Sequence, residues 1–317
     1  MQLHGLHHVT AVTKYIGDNL KFYTETLGLR LVKKTVNQDD VSAYHLFYAD
    51  RVGTPGTDMT FFDWPQVIKE RRGTDSIVNT QFRVNGRAAL DYWAGRFDEL
   101  GVAHHGIESF AGRDILRFED AEGQRMTLVD DGGEAWEGEA WEGAGVPAEY
   151  ALRGFFAATL SVPKLDVLEP FLIQLMNLQR ADQYPSLDNP DETVTIYTMD
   201  GGGAGKELHV IEQPGQPIAR LGAGGVHHIA FRLRDDAEQA AWVDRVGKMG
   251  VPSSGVVNRY YFRSLYFRIS NGILIELATD EPGFAVDESP EELGQSLALP
   301  PFLEPRREQI EAGLKPI

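Results

Sequence analysis

The chain has 317 residues, 42% of them hydrophobic and 24% charged, which is the composition of a folded globular protein and not of a disordered one. Its net charge of −17 argues against a nucleic-acid-binding protein, because phosphate recognition needs a surface rich in Lys and Arg. The absence of Cys excludes disulfides, thiolate nucleophiles, iron–sulfur clusters and Cys-type zinc sites.

The N-terminal residues lack the basic region and apolar run of a secretory signal. No apolar stretch approaches the roughly 18 residues that are needed to cross a bilayer. We therefore expect a cytoplasmic protein with no membrane partner. The sequence leaves the oligomeric state open, and a homo-oligomer is compatible with it.

Four segments along the chain have apolar residues at helical spacing. They are Asp18–Leu27, Ala88–Leu100, Leu165–Leu178 and Ala237–Met249. A residue suited to a left-handed helix end closes each segment. These residues are Gly28, Gly101, Asn177 and Gly250.

Each predicted helix is preceded by one strand-like run and followed by two or three more. The runs before the helices begin at His8, Asn79, Ala157 and His228. The last run of each set follows a turn glycine, namely Gly56, Gly123, Gly205 or Gly272. The pattern predicts one strand–helix–strand–strand–strand unit that recurs about every 70 to 80 residues.

A single unit would leave one face of its sheet bare, so units are expected to pair. The predicted fold class is α+β, with four βαβββ modules in two domains. We expect an N-terminal pair at residues 1–145 and a C-terminal pair at residues 150–280, joined by the acidic, Gly- and Trp-rich segment 130–149. Residues 281–317 should form a C-terminal extension whose amphipathic helix, Glu304–Leu314, packs on the body.

Aligning the four units shows which of them carry side chains that can bind a metal. The first strands place His8, Asn79, Ala157 and His228 at one shared position. The last strands place Thr60, Thr127, His209 and Glu276 at another. In the second and third units these two positions hold Asn79, Thr127, Ala157 and His209. That set lacks a carboxylate and a second imidazole, so we expect no second metal site there.

Two imidazoles and one carboxylate, with the other positions open, form the ligand pattern of non-haem Fe(II) oxygenases. The sequence therefore predicts a mononuclear metal site built from His8, His228 and Glu276. Fe(II) is the expected metal, although Mn, Zn and Ni also accept such ligands. Thr60 is a poor ligand at the fourth equivalent position, which leaves a gap for substrate.

His7 and His227 directly precede the two proposed histidine ligands. Because side chains alternate between the faces of a strand, one His of each pair should face the metal. The apolar alternation favours His8 and His228, but a shift of one residue would exchange both assignments.

Three strings in the chain resemble the vicinal oxygen chelate superfamily, the glyoxalase, bleomycin resistance and dioxygenase proteins. They are Leu6-His-His-Val-Thr, Gly225-Val-His-His-Ile-Ala-Phe and Tyr266-Phe-Arg-Ile-Ser-Asn-Gly-Ile-Leu-Ile-Glu-Leu. Within that superfamily the chain resembles the hydroquinone-type ring-cleaving dioxygenases, essentially from residue 1 to the tail. In catechol extradiol enzymes of the superfamily all three ligands come from the later units, whereas here the third unit offers Ala157.

The resemblance implies an Fe(II)-dependent, extradiol-type ring-cleaving dioxygenase that uses O2 on a small aromatic substrate, a hydroquinone or a catechol. It also implies catalytic roles beside the metal for His7, His227, Arg259 and Tyr266. A three-residue loop at residues 270–272 would place Tyr266 opposite Glu276, whereas a two-residue loop would place Phe267 there.

Two alternative functions stay open at this point. One is a glyoxalase-like lyase or isomerase that uses Ni, Zn or Mn to stabilise an enediolate. The other is a non-catalytic protein that binds an aromatic compound in the cleft without a metal.

Overall fold

The computed structural model describes residues 1–269 and 271–317 and has the predicted α+β architecture of four βαβββ units. The first unit contains β1 (Leu6–Thr13), α1 (Ile16–Lys21), β2 (Arg30–Asn37), β3 (Asp40–Ala49) and β4 (Asp58–Asp63). The second contains β5 (Ser76–Val84), α2 (Gly86–Leu100), β6 (His104–Phe110), β7 (Arg113–Glu119) and β8 (Arg125–Asp130).

The two later units repeat this order of elements. The third contains β9 (Phe155–Val162), α3 (Leu165–Pro170), β10 (Gln179–Pro185), β11 (Thr193–Thr198) and β12 (Glu207–Glu212). The fourth contains β13 (Val226–Leu233), α4 (Asp236–Lys248), β14 (Ser253–Asn258), β15 (Arg263–Arg268) and β16 (Leu274–Thr279). A last helix, α5 (Arg307–Gly313), lies in the C-terminal extension.

All four predicted helices are present, and two of them change geometry along their length. After α1 and after α3 the backbone continues as a π-helical turn, at Phe22–Thr26 and Phe171–Leu175. The predicted left-handed residues follow the helices, as at Gly101 with φ +69° and Asn177 with φ +59°. The helices therefore end where a residue can adopt the left-handed conformation.

The units pair differently from the prediction made from their order in the chain. One curled sheet joins the first and fourth units in the order β14-β15-β16-β13-β1-β4-β3-β2, and the other joins the second and third as β10-β11-β12-β9-β5-β8-β7-β6. Residues 1–145 and 150–280 thus each contribute one unit to each sheet, and the expected N-terminal and C-terminal pairs are wrong as sheet partners. Because all four first strands have the same pattern, local sequence does not specify which two of them pair.

Alternation along the strands separates the main core from the concave faces of the sheets. In β1, Val9 and Ala11 join the large hydrophobic cluster that also contains the fully buried Trp93 of α2 and Trp242 of α4. The residues between them point to the opposite face. The helices therefore cover one face of each sheet, and the curled face is left to line cavities.

The C-terminal extension packs on the first unit, as expected from its amphipathic pattern. Ile310 of α5 clusters with Leu299, Leu303 and Val36 of β2. A short 3-10 turn, Glu304–Arg306, precedes α5, so the predicted helix is divided into two parts. Within the described residues the structure has no helix that is both long and apolar enough to span a membrane.

Candidate metal centre

The predicted ligands meet on the concave face of the sheet that joins the first and fourth units. His8 lies on β1, His228 on β13 and Glu276 on β16. In the antiparallel pairing of β1 with β13, His8 faces Ala230 and Thr10 faces His228. The two histidines are therefore related by a local two-fold axis between the strands, which is why residues 220 positions apart become neighbours.

The three side chains converge on one point and are almost completely buried. His8 Nε2 lies 3.1 Å and His228 Nε2 lies 2.9 Å from Glu276 Oε2. The exposed fractions of His8, His228 and Glu276 are 2%, 4% and 0%. Among the described residues, this is the one group of three metal-capable side chains whose ligand atoms all lie within 4.8 Å of one another.

The electrostatics of the triad suit a bound cation. Burial acts to raise the pKa of Glu276, but His8 and His228 outweigh burial and hold it well below its ordinary value. Burial lowers the pKa of His228, which favours a neutral ring with a free lone pair. An ionised carboxylate without water is costly to bury, and a divalent cation held by these three donors would offset that cost. The donor set therefore fits a metal such as Fe(II).

His7 and His227 lie at β-bulges beside the proposed ligands and contact them directly. His7 Nδ1 is 3.0 Å from His8 Nδ1, and His227 Nδ1 is 2.8 Å from His228 Nδ1. If the ligand histidine donates its Nδ1 proton in each pair, its Nε2 is left free to bind a metal. Burial lowers the pKa of both His7 and His227 to about 3, so both are neutral acceptors at physiological pH.

The structure does not place His7 or His227 in the lining of the cavity above the triad. Their contacts are those of residues that orient the metal ligands, and the catalytic roles that the resemblance implies for them stay a prediction. Of each His pair, His8 and His228 are the members that reach Glu276, and a β-bulge at each pair interrupts the regular alternation.

Tyr266 and Arg259, in contrast, both line this cavity. Tyr266 on β15 pairs with Glu276 on β16, which is the register expected for the longer of the two predicted loops. Ser270, in that loop, lies outside the described residues. Burial and the charge of Glu276 raise the pKa of Tyr266, so its phenol stays protonated. Arg259 Nε donates a hydrogen bond to the Tyr266 hydroxyl at 3.2 Å.

Arg259 also links the two units across the mouth of the cavity. Its guanidinium binds the carboxylate of Asp39 at 2.9 and 3.2 Å, and the Gln38 side chain donates to its backbone carbonyl at 2.7 Å. Burial acts to lower the pKa of Arg259, but its hydrogen bonds to Asp39 and Tyr266 raise it overall. The turn between β2 and β3 is thus fastened to the loop before β15.

The cavity has aromatic walls but little free space. Phe47, Phe62 and Phe262 line it together with Tyr261 and Tyr266. Its volume is about 40 Å³, which holds a metal and a few waters but not an aromatic ring. The walls suit a flat ring, and the volume requires that the Asp39–Arg259 contact or the surrounding side chains move when a ring enters.

His45 on β3 is a residue of this cavity that the sequence prediction missed. Its Nε2 lies 3.0 Å from Oγ1 of Thr60, which occupies the fourth position of the repeat. Burial lowers the pKa of His45 well below its ordinary value, so the ring is neutral. His45 lies opposite Phe62 in the first unit, and Ser264 lies opposite Ala278 in the fourth, so His45 and Ser264 occupy equivalent positions. Aligning the third strands of the units would have identified His45.

The fold and this site define a member of the glyoxalase/bleomycin resistance protein/dioxygenase superfamily. The family model matches residues 5–125 and 154–286, and the chain belongs to this family, as the sequence predicted. MhqA of Bacillus subtilis (strain 168), to which a ring-cleaving dioxygenase activity is ascribed, is 47% identical over 317 residues, 100% of both chains. The chlorohydroquinone/hydroquinone 1,2-dioxygenase of Sphingobium indicum is 32% identical over 98% of this chain and 95% of its own.

Solved structures agree with this assignment of the fold. A crystal structure from Bacillus subtilis subsp. subtilis str. 168, of a protein to which dioxygenase activity is ascribed, matches with a TM-score of 0.90 and 35% identity. It covers 100% of this chain and 98% of its own. Glyoxalase I from Zea mays matches with a TM-score of 0.63 and 15% identity over 87% and 92% of the two chains, which shows a shared fold.

Proposed function

We propose that this protein is an Fe(II)-dependent, extradiol-type dioxygenase that opens the ring of a hydroquinone or a catechol. The observation that carries the proposal is the convergence of His8, His228 and Glu276 beside an aromatic-walled cavity that also presents Tyr266. Relatives named as ring-cleaving and hydroquinone dioxygenases support a dioxygenase activity over the whole length of the chain.

Fe(II), when bound by His8, His228 and Glu276, would supply open positions for the substrate oxygen and O2 and a path for electrons between them. The chain's own residues would position and protonate the substrate. The Tyr266 hydroxyl accepts a hydrogen bond from Arg259, so its own proton is free to be donated to a substrate oxygen. The positive charge of Arg259 stabilises negative charge that develops on that oxygen.

His45 supplies a neutral imidazole on the strand equivalent to the one that carries Tyr266. A neutral imidazole can accept a proton from the second hydroxyl of a hydroquinone. Phe47, Phe62 and Phe262 exclude water and hold the ring flat between them. Ring cleavage would then break one carbon–carbon bond and place both atoms of O2 in the product.

The proposal is tested by reconstituting the purified protein with Fe(II) without oxygen and then measuring O2 uptake with a panel of hydroquinones and catechols. We expect uptake with at least one of them, and mass spectrometry should find both ¹⁸O atoms of labelled O2 in the product. The Glu276→Gln variant should show no uptake, whereas Glu281→Gln, which removes an exposed carboxylate outside the site, should match the unmodified protein. Absence of uptake across the whole panel would contradict the proposal.

The same preparation separates the two alternative functions. A glyoxalase-like lyase or isomerase would be active with Ni(II), Zn(II) or Mn(II) and would consume no O2. A non-catalytic binding protein would retain aromatic ligands after the metal is removed by a chelator. We expect activity to depend on Fe(II) and to be lost on chelation.

A further inference from the structure

The second curled sheet, formed by the second and third units, contains a larger cavity than the one above the metal triad. Its volume is about 370 Å³, within the range of small-molecule sites and about nine times that of the first cavity. Asn79, Thr127 and His209 line it and stand at the positions of the first sheet's triad side chains. The duplicated architecture therefore provides a second, differently lined binding face.

The polar floor of this cavity is not arranged for a metal. His209 contacts Gln81 Nε2 at 3.2 Å through Nδ1 and Glu207 at 2.8 Å through Nε2, so both ring nitrogens are engaged. Asn79 Nδ2 donates to Thr127 Oγ1 at 2.8 Å. The one close group of three metal-capable side chains in the described chain is the triad of the other sheet. A ligand of this cavity must be recognised by other groups.

Three arginines line the cavity, and two of them are bonded to neighbouring acceptors. Arg117 binds Glu108 at 2.7 and 3.0 Å and Asp188 at 2.6 Å. Arg72 binds Glu119 at 2.7 Å and the carbonyl of Gly123 at 2.8 Å. The acidic side chains around the cavity are thus largely occupied by these two arginines.

The side chain of Arg125, the third arginine, is half-buried and makes no hydrogen bond or ion pair with residues 1–269 and 271–317. It begins β8, two residues before Thr127, and therefore points to the same concave face. Burial, and then the nearby Arg72, lowers the pKa of Arg125, against the charges of Glu70, Glu119 and Asp188, which lie near it without forming an ion pair. A half-buried guanidinium without a partner leaves a planar fork of donors that matches one carboxylate.

One part of the lining is apolar and includes an aromatic ring. Val78, Val194 and Ile211 form a small cluster against which Phe110 packs. Leu187, 41% exposed, lies at the rim, where the cavity meets solvent. An apolar wall beside one unpaired cation suits a ligand with a ring at one end and a single negative charge at the other.

We propose that this second cavity binds a small aromatic carboxylate, with the carboxylate on Arg125 and the ring against Phe110, Val78 and Ile211. The site is separate from the metal centre, needs no metal and does not depend on the proposed ring cleavage. It lies on the sheet face that lacks the metal ligand set, and it recognises an anion there.

Calorimetry with sodium benzoate as the probe tests the site on metal-free, full-length protein. We expect one benzoate per chain, at least tenfold weaker binding of the neutral analogue benzyl alcohol, and unchanged benzoate binding by Glu276→Gln. Arg125→Gln should weaken benzoate binding at least tenfold, and Arg125→Lys should lie between the two. Arg87→Gln, which removes an exposed arginine of the same unit, should bind as the unmodified protein does.

A crystal structure with 4-iodobenzoate locates the probe independently of any variant's folding. The iodine's anomalous signal should lie beside Phe110, with the carboxylate at Arg125. A signal only in the metal cavity, no signal in the second cavity, or unchanged benzoate affinity in a folded Arg125→Gln variant would each overturn the proposal.

Discussion

Asp58 offers a stability prediction whose sign and size follow from its surroundings. The side chain is 1% exposed, and neither carboxyl oxygen has a hydrogen-bond partner in the described chain. Burial, and then the charge of Asp50, raises the pKa of Asp58 well above its ordinary value. The folded protein therefore keeps a proton here that the unfolded chain releases above about pH 3.9.

The folded state then binds one proton more than the unfolded state, so the free energy of unfolding falls as the pH rises. The slope is about 1.4 kcal/mol per pH unit between the unfolded and folded pKa values. Asp58→Asn preserves the shape of the side chain and removes the titration. The free energy of unfolding of the variant minus that of the unmodified protein should therefore increase by about 1.4 kcal/mol from pH 5 to pH 6.

Urea unfolding at several pH values, with a chelator to keep the triad free of metal, measures this difference. Asp191→Asn, at an exposed position, is the control and should differ from the unmodified protein by the same amount at every pH. If the Asp58→Asn difference also stays constant from pH 5 to pH 6, then Asp58 is not protonated in the folded protein and the reasoning is refuted.

Three further predictions concern the metal centre. Glu276→Gln should weaken Fe(II) binding by more than about 100-fold in anaerobic titration, because it removes the charged ligand; an unchanged affinity would count against the site. His7→Phe removes the partner of the His8 ring and should weaken Fe(II) binding by about 10- to 100-fold, and an intact affinity would show that this contact does not orient the ligand. Asp39→Asn weakens the ion pair with Arg259, and because Asp39 is 72% exposed, that pair is worth at most about 1 kcal/mol. Opening the cavity in this way should lower the KM for a hydroquinone by up to about five-fold in O2-uptake assays. A rise in KM would mean that the pair holds substrate and does not close the cavity.

The sequence predicted most of what makes the site because the fold is a repeat. Aligning His8 with His228 and Thr60 with Glu276 required only the spacing of strands and turn glycines. The structure brings His8, His228 and Glu276 together on one face, and a β-bulge at each His pair leaves His7 and His227 beside the ligand rings. Such positions are predictable because strand alternation and repeat spacing are local properties.

The pairing of the units was not predictable from the same local signals. β1 meets β13 through an antiparallel contact between strands at opposite ends of the chain, and the first-strand pattern is equally compatible with other partners. The ligand set held one clue, because His8 and Glu276 can share a metal only if their two units meet. His45 was missed because the alignment of the units compared only their first and last strands, and His45 lies on the third strand, β3.

The long-range contacts of charged side chains were also beyond the sequence. The Asp39–Arg259 pair joins a turn of the first unit to a loop of the fourth, and neither segment identifies the other. Arg125 looks like an ordinary surface arginine in the sequence. It becomes distinctive only when Arg72 and Arg117 are seen to occupy the neighbouring carboxylates.

Diffraction at the iron absorption edge, from crystals grown anaerobically with Fe(II), tests the central claim most directly. The account predicts one anomalous peak per chain within bonding distance of His8 Nε2, His228 Nε2 and a Glu276 carboxylate oxygen, and no peak on the second sheet. An iron peak bound to other residues would contradict this metal site. So would the absence of an iron peak in crystals of protein that consumes O2 with a hydroquinone.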